Sequence, residues 1–191
     1  MELANIGKLL GCLKTGVDLT KELILTEKTF KGILIPNGCG KTFLCNNLES
    51  NEYHLLDLDN EAYNELDSDD KESLADKDQL AINRVVYTKS KKIITEVIDI
   101  LVGSSNNSKD LLLLSSDYRL LKYNGCNHIT YFMPSEMLVT ELRKIPQFNF
   151  KKFETCKNDL LKRKCDKLVI YNSLEELAKL VCDKFNCKLK I

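Results

Sequence analysis

The sequence predicts an α/β fold in three layers, in which helices flank a mostly parallel central sheet. Three observations predict it. An apolar segment at residues 32–35 runs into a glycine-rich turn and a helix-compatible segment at residues 43–48. The unbroken leucine run at residues 111–114 is typical of a strand buried on both faces of a parallel sheet. Between residues 110 and 144, strand and helix patterns alternate as in a doubly wound sheet.

The glycine-rich turn carries the residue types that phosphate binding needs. Gly38 and Gly40 let backbone N–H groups approach a phosphate closely, at the N-terminus of the following helix. Lys41 can reach the β- and γ-phosphates, and the Thr42 hydroxyl can bind Mg²⁺. The turn therefore predicts a nucleotide site.

One position departs from the pattern G-x-x-x-x-G-K-[ST]. Ile35 stands where the first glycine belongs. Because isoleucine avoids positive φ, we expect the chain to leave the strand through Pro36 and Asn37 instead.

Two carboxylates end the strand predicted at residues 53–59. Strand alternation places Asp57 and Asp59 on one face, at the sheet edge where ligands gather in parallel α/β folds. They are candidates for a Mg²⁺ ligand, a general base or a holder of a substrate hydroxyl, and a simple capping role is an equal alternative.

The remaining segments predict the domain organisation. Residues 1–30 form an N-terminal extension packed on the core, and residues 31–191 form one domain with an acidic solvated segment at residues 60–78. A helix is expected at residues 91–102, and a last strand and helix are expected at residues 168–185. Ser135 is the expected N-cap of the helix at residues 136–144. Residues 147–166 are rich in lysine, which suits either a lid over phosphates, a nucleic-acid backbone contact or a solvated face.

Composition limits the function classes. The 191 residues carry equal numbers of basic and acidic side chains, which gives no general argument for nucleic acid or membrane binding. Eight cysteines form no C-x-x-C pair and only two histidines could join them, so zinc is disfavoured. No apolar run is long enough to span a bilayer. We expect a cytoplasmic protein with free thiols, in the host cytoplasm if the protein is viral.

Several of these features resemble P-loop NTPases. Gly38-Cys39-Gly40-Lys41-Thr42 looks like a Walker A loop, and the leucine run before Asp117 loosely resembles a Walker B strand. Together with the strand at residues 55–59 and the ending at residues 167–177, they are similar to small nucleotide and nucleoside kinases, including guanylate-kinase-like enzymes and kinase-like proteins of phages and other viruses.

The resemblance implies a three-layer P-loop NTPase fold that uses ATP and Mg²⁺, with these residues in its site. The implied catalytic residues are Lys41, Asp57 and Asp59. The implied nucleotide-binding residues are Asn37, Gly38, Cys39, Gly40, Lys41, Thr42, Lys162 and Arg163. The implied metal ligands are Thr42, Asp57 and Asp117.

Three functions remain open. A phosphotransferase would pass a phosphoryl group from Mg·ATP to a nucleotide or nucleoside acceptor. An acceptor-independent NTPase is suggested by Pro36-Asn37-Gly38, which resembles the loop of ABC ATPases; a partner or nucleic acid would stimulate it. A non-catalytic viral or accessory protein would keep the nucleotide-binding fold, and an oligomer is possible in each case. A further hypothesis concerns Cys39: beside a helix N-terminus its thiol pKa could fall and oxidation could then block the site, whereas the favoured interpretation is a small residue that only provides room in the loop.

Overall fold

The computed structural model describes residues 30–66, 79–102, 109–162 and 168–190. The predicted N-terminal extension lies almost wholly outside these residues. The described residues form seven strands and seven helices. In chain order they are β1 (Phe30–Leu34), α1 (Lys41–Asn47), β2 (Leu48–Ser50), β3 (Tyr53–Asp57), α2 (Leu58–Asn64), α3 (Gln79–Val102), β4 (Asp110–Ser115), α4 (Tyr118–Tyr123), β5 (Cys126–Pro134), α5 (Glu136–Leu142), α6 (Phe150–Lys162), β6 (Leu168–Tyr171), α7 (Leu174–Phe185) and β7 (Cys187–Leu189).

Five strands make one sheet in the order β3-β4-β1-β5-β6, and every neighbouring pair is parallel. Flanking helices complete an α/β architecture, so the predicted parallel sheet is confirmed. The leucine run lies in β4, between β3 and β1, and its four leucines are at most 2% exposed. Such a strand is apolar throughout because both of its faces are covered.

The strand order places a ligand crevice at one edge of the sheet. The chain passes from β1 to the outer strand β3, returns to β4 and then crosses β1 to reach β5. In open α/β sheets, ligands bind beyond the carboxyl ends of the strands where the order reverses. A ligand site is therefore expected at the segments that follow β1, β3 and β4.

The predicted strand at residues 53–59 is too long. It ends at Asp57, whose side chain accepts a hydrogen bond from the Asn60 backbone N–H at 3.3 Å and so caps α2. An N-cap aspartate begins a helix because it satisfies an N–H that has no partner within the helix. Asp59 consequently lies in the first turn of α2, and the prediction that the two carboxylates share a strand face is wrong.

Two other predicted boundaries move. The expected acidic loop begins with helix α2, in which Ala62 is buried, while residues 67–78 lie outside the described residues. The helix predicted at residues 91–102 begins at Gln79, because no glycine or proline interrupts residues 79–92.

The carboxyl-terminal part follows the prediction closely. Ser135 caps α5 through the Leu138 N–H, and Ser173 caps α7 through the Glu176 N–H. An additional feature is the antiparallel pairing of β2 with β7, which joins the segment after α1 to the end of the described chain. No helix among the described residues has both the length and the apolar character that crossing a bilayer requires.

Candidate nucleotide site

The segment between β1 and α1, residues 35–40, is called the glycine loop below. Gly38 has φ of 74° and Gly40 has φ of 113°, which are left-handed conformations that glycine adopts without strain. Ile35 needs no such conformation, since it continues the direction of β1 and its N–H donates to the Ser115 carbonyl at 3.0 Å. The chain therefore turns after Pro36, as the sequence predicts.

Residues distant in sequence pack closely against the glycine loop. A Cβ added to Gly40 would lie 2.8 Å from Leu174 Cδ2, and one added to Gly38 would lie 2.9 Å from Phe148 Cδ2. The buried Tyr171 hydroxyl donates to the Cys39 carbonyl at 2.6 Å. Both glycines are thus required for close packing as well as for backbone conformation.

Lys41, the first residue of α1, points back into the glycine loop. Its side chain is only 6% exposed, and its Nζ lies 3.2 Å from Asp59 Oδ2. The same Nζ donates to the Ile35 carbonyl at 3.4 Å and to Asn37 Oδ1 at 3.3 Å. Lys41 therefore places a positive charge inside the loop, where the sequence predicts phosphate.

Thr42 and Asp57 form a second polar pair beside Lys41. The Thr42 hydroxyl donates to Asp57 Oδ2 at 3.1 Å, and Asp57 also caps α2. Burial raises the pKa of the Asp57 carboxyl above its ordinary value, and the nearby Lys41 ammonium offsets this only in part. The structure thus brings together Thr42 and Asp57, two of the three residues predicted as metal ligands.

Asp59 is held more firmly than Asp57. The Ser115 hydroxyl donates to its Oδ1 at 2.5 Å, while the N–H and the hydroxyl of Ser116 donate to its Oδ2 at 2.7 and 2.6 Å. Burial opposes ionisation of Asp59, but the Lys41 ammonium and the serine hydrogen bonds outweigh it and lower its pKa. Asp59 is therefore a carboxylate held in its charged form.

The other predicted site residues are placed differently. Asp117 caps α4 and forms an ion pair with Arg119 at 3.3 Å, so its carboxylate is already engaged. It also accepts a hydrogen bond from the Tyr87 hydroxyl at 3.4 Å. Lys162 is the last residue of α6 and is not among the residues that line the site cavity, and Arg163 lies outside the described residues.

The thiols of the site are not activated. Burial raises the pKa of Cys39 to about 12, so the hypothesis of a lowered pKa at this position is wrong. The reason is that the Cys39 side chain is 1% exposed and belongs to the hydrophobic core, and the nearby Lys41 ammonium offsets the effect of burial only in part. Burial likewise raises the pKa of Cys156 to about 11, and this thiol donates to the Ser116 carbonyl at 2.8 Å. Within the described part of the chain, no group of three His, Cys, Asp or Glu side chains could hold a metal ion by itself.

A cavity of about 1470 Å³ opens over these residues. Its lining includes Asn37, Gly38 and Gly40 of the glycine loop, but not the predicted nucleotide-binding residue Cys39, together with Lys41, Thr42, Asp57, Asp59 and the α6 residues Lys151, Lys152 and Cys156. The lining also includes aromatic and basic side chains. They are Tyr63, Tyr87, Tyr118 and Arg119.

Several residues that shape this site were not identified from the sequence, or were placed only within a broad segment. Tyr171 and Phe148 carry no motif, and only the strand that precedes the last helix indicates that Tyr171 is buried. The lysine-rich segment contains α6, and residues from Lys151 to Leu160 of this helix line the cavity, whereas Lys162 does not.

Comparison with known proteins identifies no family for this chain. No protein-family model matches the sequence, and no curated protein matches it as a relative. One solved structure, the tunicamycin resistance protein of Deinococcus radiodurans, aligns with 86% of this chain and 99% of its own at 12% identity, with a TM-score of 0.47. A likeness this distant describes neither a shared family nor a shared function.

Proposed function

We propose that this protein binds Mg·ATP at the glycine loop and transfers its terminal phosphoryl group to a nucleotide or nucleoside. One observation carries the proposal. A buried lysine, a hydroxyl paired with a carboxylate, and a loop with two left-handed glycines all border the same large cavity. This combination of positive charge, backbone N–H groups and oxygen ligands suits a triphosphate with its metal.

Phosphate binding in this proposal depends on the glycine loop and Lys41. The N-terminus of α1 follows Gly40, which has no side chain to cap it, and no acidic residue stands in the first turn. The N–H groups there are available to phosphate oxygens, and Lys41 supplies a full positive charge. Lys151 and Lys152 also line the cavity and add positive charge to it.

The Thr42 and Asp57 pair fits Mg²⁺. Both offer oxygen atoms 3.1 Å apart, and Mg²⁺ in nucleotide sites commonly uses one or two protein oxygens and completes its shell with phosphates and water. When bound, the metal would neutralise charge on the phosphates. The protein's own groups then orient the triphosphate and hold the acceptor.

The acceptor is assigned to the part of the cavity lined by tyrosines. Tyr63, Tyr87 and Tyr118 line the cavity, where aromatic side chains can pack against a nucleobase, although the Tyr87 ring already lies against Tyr123 and the Tyr118 ring against Tyr131. Asp57 lines the same cavity as these tyrosines and the glycine loop, so its carboxylate can hold an acceptor hydroxyl or the metal. Transfer in such a site depends mainly on positioning and on charge neutralisation.

The test is production of ADP from Mg·ATP by the full-length protein, alone and with a panel of nucleosides and nucleoside monophosphates. The variant Lys41→Ala is expected to lower acceptor-dependent turnover by at least about 100-fold. Lys144→Ala is the matched control, since Lys144 is exposed and pairs with Glu141 on the surface.

The outcomes separate the three functions. ADP production that requires one acceptor supports the phosphotransferase and identifies its substrate. Turnover without an acceptor, with or without added nucleic acid, replaces it with an NTPase. ATP binding without any turnover replaces it with a non-catalytic nucleotide-binding protein.

A further inference from the structure

Asp59 fastens three elements to one another. Its position in the first turn of α2 brings it to the end of β4, where Ser115 and Ser116 donate three hydrogen bonds to it among the described residues. It also forms the ion pair with Lys41. Two of the serine hydrogen bonds and the ion pair share Oδ2, so this oxygen has no room for a further ligand.

The ammonium group of Lys41 is similarly occupied. An ammonium has three N–H donors, and the Lys41 Nζ faces three acceptors: the Ile35 carbonyl, Asn37 Oδ1 and Asp59 Oδ2. Asp59 is the only charged acceptor of the three. A phosphate oxygen that binds Lys41 must replace one of them, and it is repelled by the negative charge of Asp59.

We infer that Asp59 is a positioning residue that holds Lys41 inside the glycine loop and competes with nucleotide phosphates for it. This inference rests on the proposed nucleotide site. The hydrogen bonds from Ser115 and Ser116 allow Lys41 to exchange the Asp59 carboxylate for a phosphate. When Lys41 turns to a phosphate, the Asp59 carboxylate keeps its hydrogen bonds from Ser115 and Ser116 and is not left buried without a partner.

Asp57 is not equivalent. Its contacts with Thr42 and the Asn60 N–H are longer, 3.1 and 3.3 Å, and neither partner is charged. Asp57 therefore keeps acceptor capacity for a metal or a substrate hydroxyl, while Asp59 acts through Lys41.

The competition predicts opposite effects of two substitutions on the binding of ADP without Mg²⁺. Asp59→Asn removes the competing charge and is expected to lower the Kd for ADP about fivefold. Ser116→Ala keeps the charge but removes a hydroxyl that satisfies Asp59, so Asp59 depends more on Lys41 and the Kd should rise about threefold.

The experiment is titration calorimetry of the full-length protein with ADP in EDTA. Asp159→Asn is the matched control, since it removes the same charge from the lining of the same cavity, whereas the carboxylate that pairs with Lys41 is that of Asp59. Its Kd should change by less than about twofold. Thermal unfolding of every variant establishes that it is folded.

Tighter binding by Asp59→Asn together with weaker binding by Ser116→Ala supports the inference. Unchanged or weaker binding by Asp59→Asn overturns it, and so does an equal gain in Asp159→Asn, because general repulsion would then explain the effect. If Asp59→Asn does not fold, the Ser116→Ala variant decides the test by itself. Unchanged or tighter ADP binding by Ser116→Ala then overturns the inference. Failure of the wild-type protein to bind ADP overturns the proposed nucleotide site as well.

Discussion

The substitution Tyr171→Phe removes the hydrogen bond that joins the last strand of the parallel sheet to the glycine loop. Tyr171 is fully buried, and its hydroxyl donates to the Cys39 carbonyl at 2.6 Å. Phenylalanine keeps the ring and its packing, so the change isolates the hydroxyl. A buried carbonyl that loses its donor costs about 1–3 kcal/mol. We expect the free energy of unfolding to fall by that amount, a substantial part of the roughly 5–15 kcal/mol that stabilises a typical domain.

The assay is urea unfolding of the full-length protein followed by far-ultraviolet circular dichroism, with ATP affinity measured on the same samples. ATP affinity should fall too, because the Cys39 carbonyl belongs to the loop that would bind phosphate. Tyr123→Phe is the matched control, since the Tyr123 ring is 44% exposed and lies against Tyr87. A loss below about 0.5 kcal/mol for Tyr171→Phe, with ATP affinity unchanged, would refute the view that this hydrogen bond fixes the loop.

Four further predictions follow from the site. Asp57→Asn should raise the urea midpoint at pH 7, because burial raises the pKa of Asp57, so stability falls as the pH rises from the ordinary value of 3.8 through the raised pKa. Asp59→Asn should lower the urea midpoint, since the lowered pKa of the Asp59 carboxyl means that its ionised form stabilises the fold above the ordinary pKa of 3.8. That contribution is lost only as the pH falls through the folded-state pKa. Equal shifts of the midpoint for the two variants at pH 7 would contradict the pKa directions of both carboxyls. Gly40→Ala should destabilise the protein by about 2–4 kcal/mol in the same assay, because φ of 113° and a Cβ 2.8 Å from Leu174 oppose any side chain. Cys39 should react with iodoacetamide at pH 8 far more slowly in the folded than in the unfolded protein, since burial raises its pKa to about 12; equal rates would show an accessible thiolate.

The fold could be predicted because its central strands have strong local patterns. The leucine run of β4 reads as a buried parallel strand without any knowledge of its neighbours, and β4 occupies that position. The N-caps Ser135 and Ser173 are equally local, since each satisfies an N–H three residues later. Patterns of this kind specify elements, and the order of the strands follows from how those elements pack.

The boundary between β3 and α2 shows where local patterns are ambiguous. Asp57 and Asp59 fit strand alternation, but Asp57 is also an N-cap residue type, and the capping hydrogen bond from Asn60 decides the outcome. The result changes the chemistry, because a helical turn brings Asp59 to Ser115 and Ser116 while Asp57 stays beside Thr42. Two carboxylates that look interchangeable in the sequence thus acquire pKa shifts of opposite sign.

Contacts across long sequence distances could not be predicted from one sequence. Tyr171 is separated from Cys39 by 132 residues, and no motif indicates that a phenol should face that carbonyl. The place of Phe148 over Gly38 likewise depends on how the segment before α6 crosses the sheet edge. Such contacts arise from the packing of whole elements rather than from the residues around them.

The replacement of the first loop glycine by Ile35 can now be explained by the backbone. A glycine is required only where φ is positive or where another group approaches too closely for a Cβ, and both conditions apply at Gly38 and Gly40. Ile35 meets neither condition, because its N–H pairs with the Ser115 carbonyl and its side chain is fully buried in the core. Its carbonyl still accepts from Lys41 Nζ. The isoleucine therefore adds apolar burial at the end of β1 while its backbone serves the loop as a glycine backbone would, so this departure from the motif is no argument against phosphate binding.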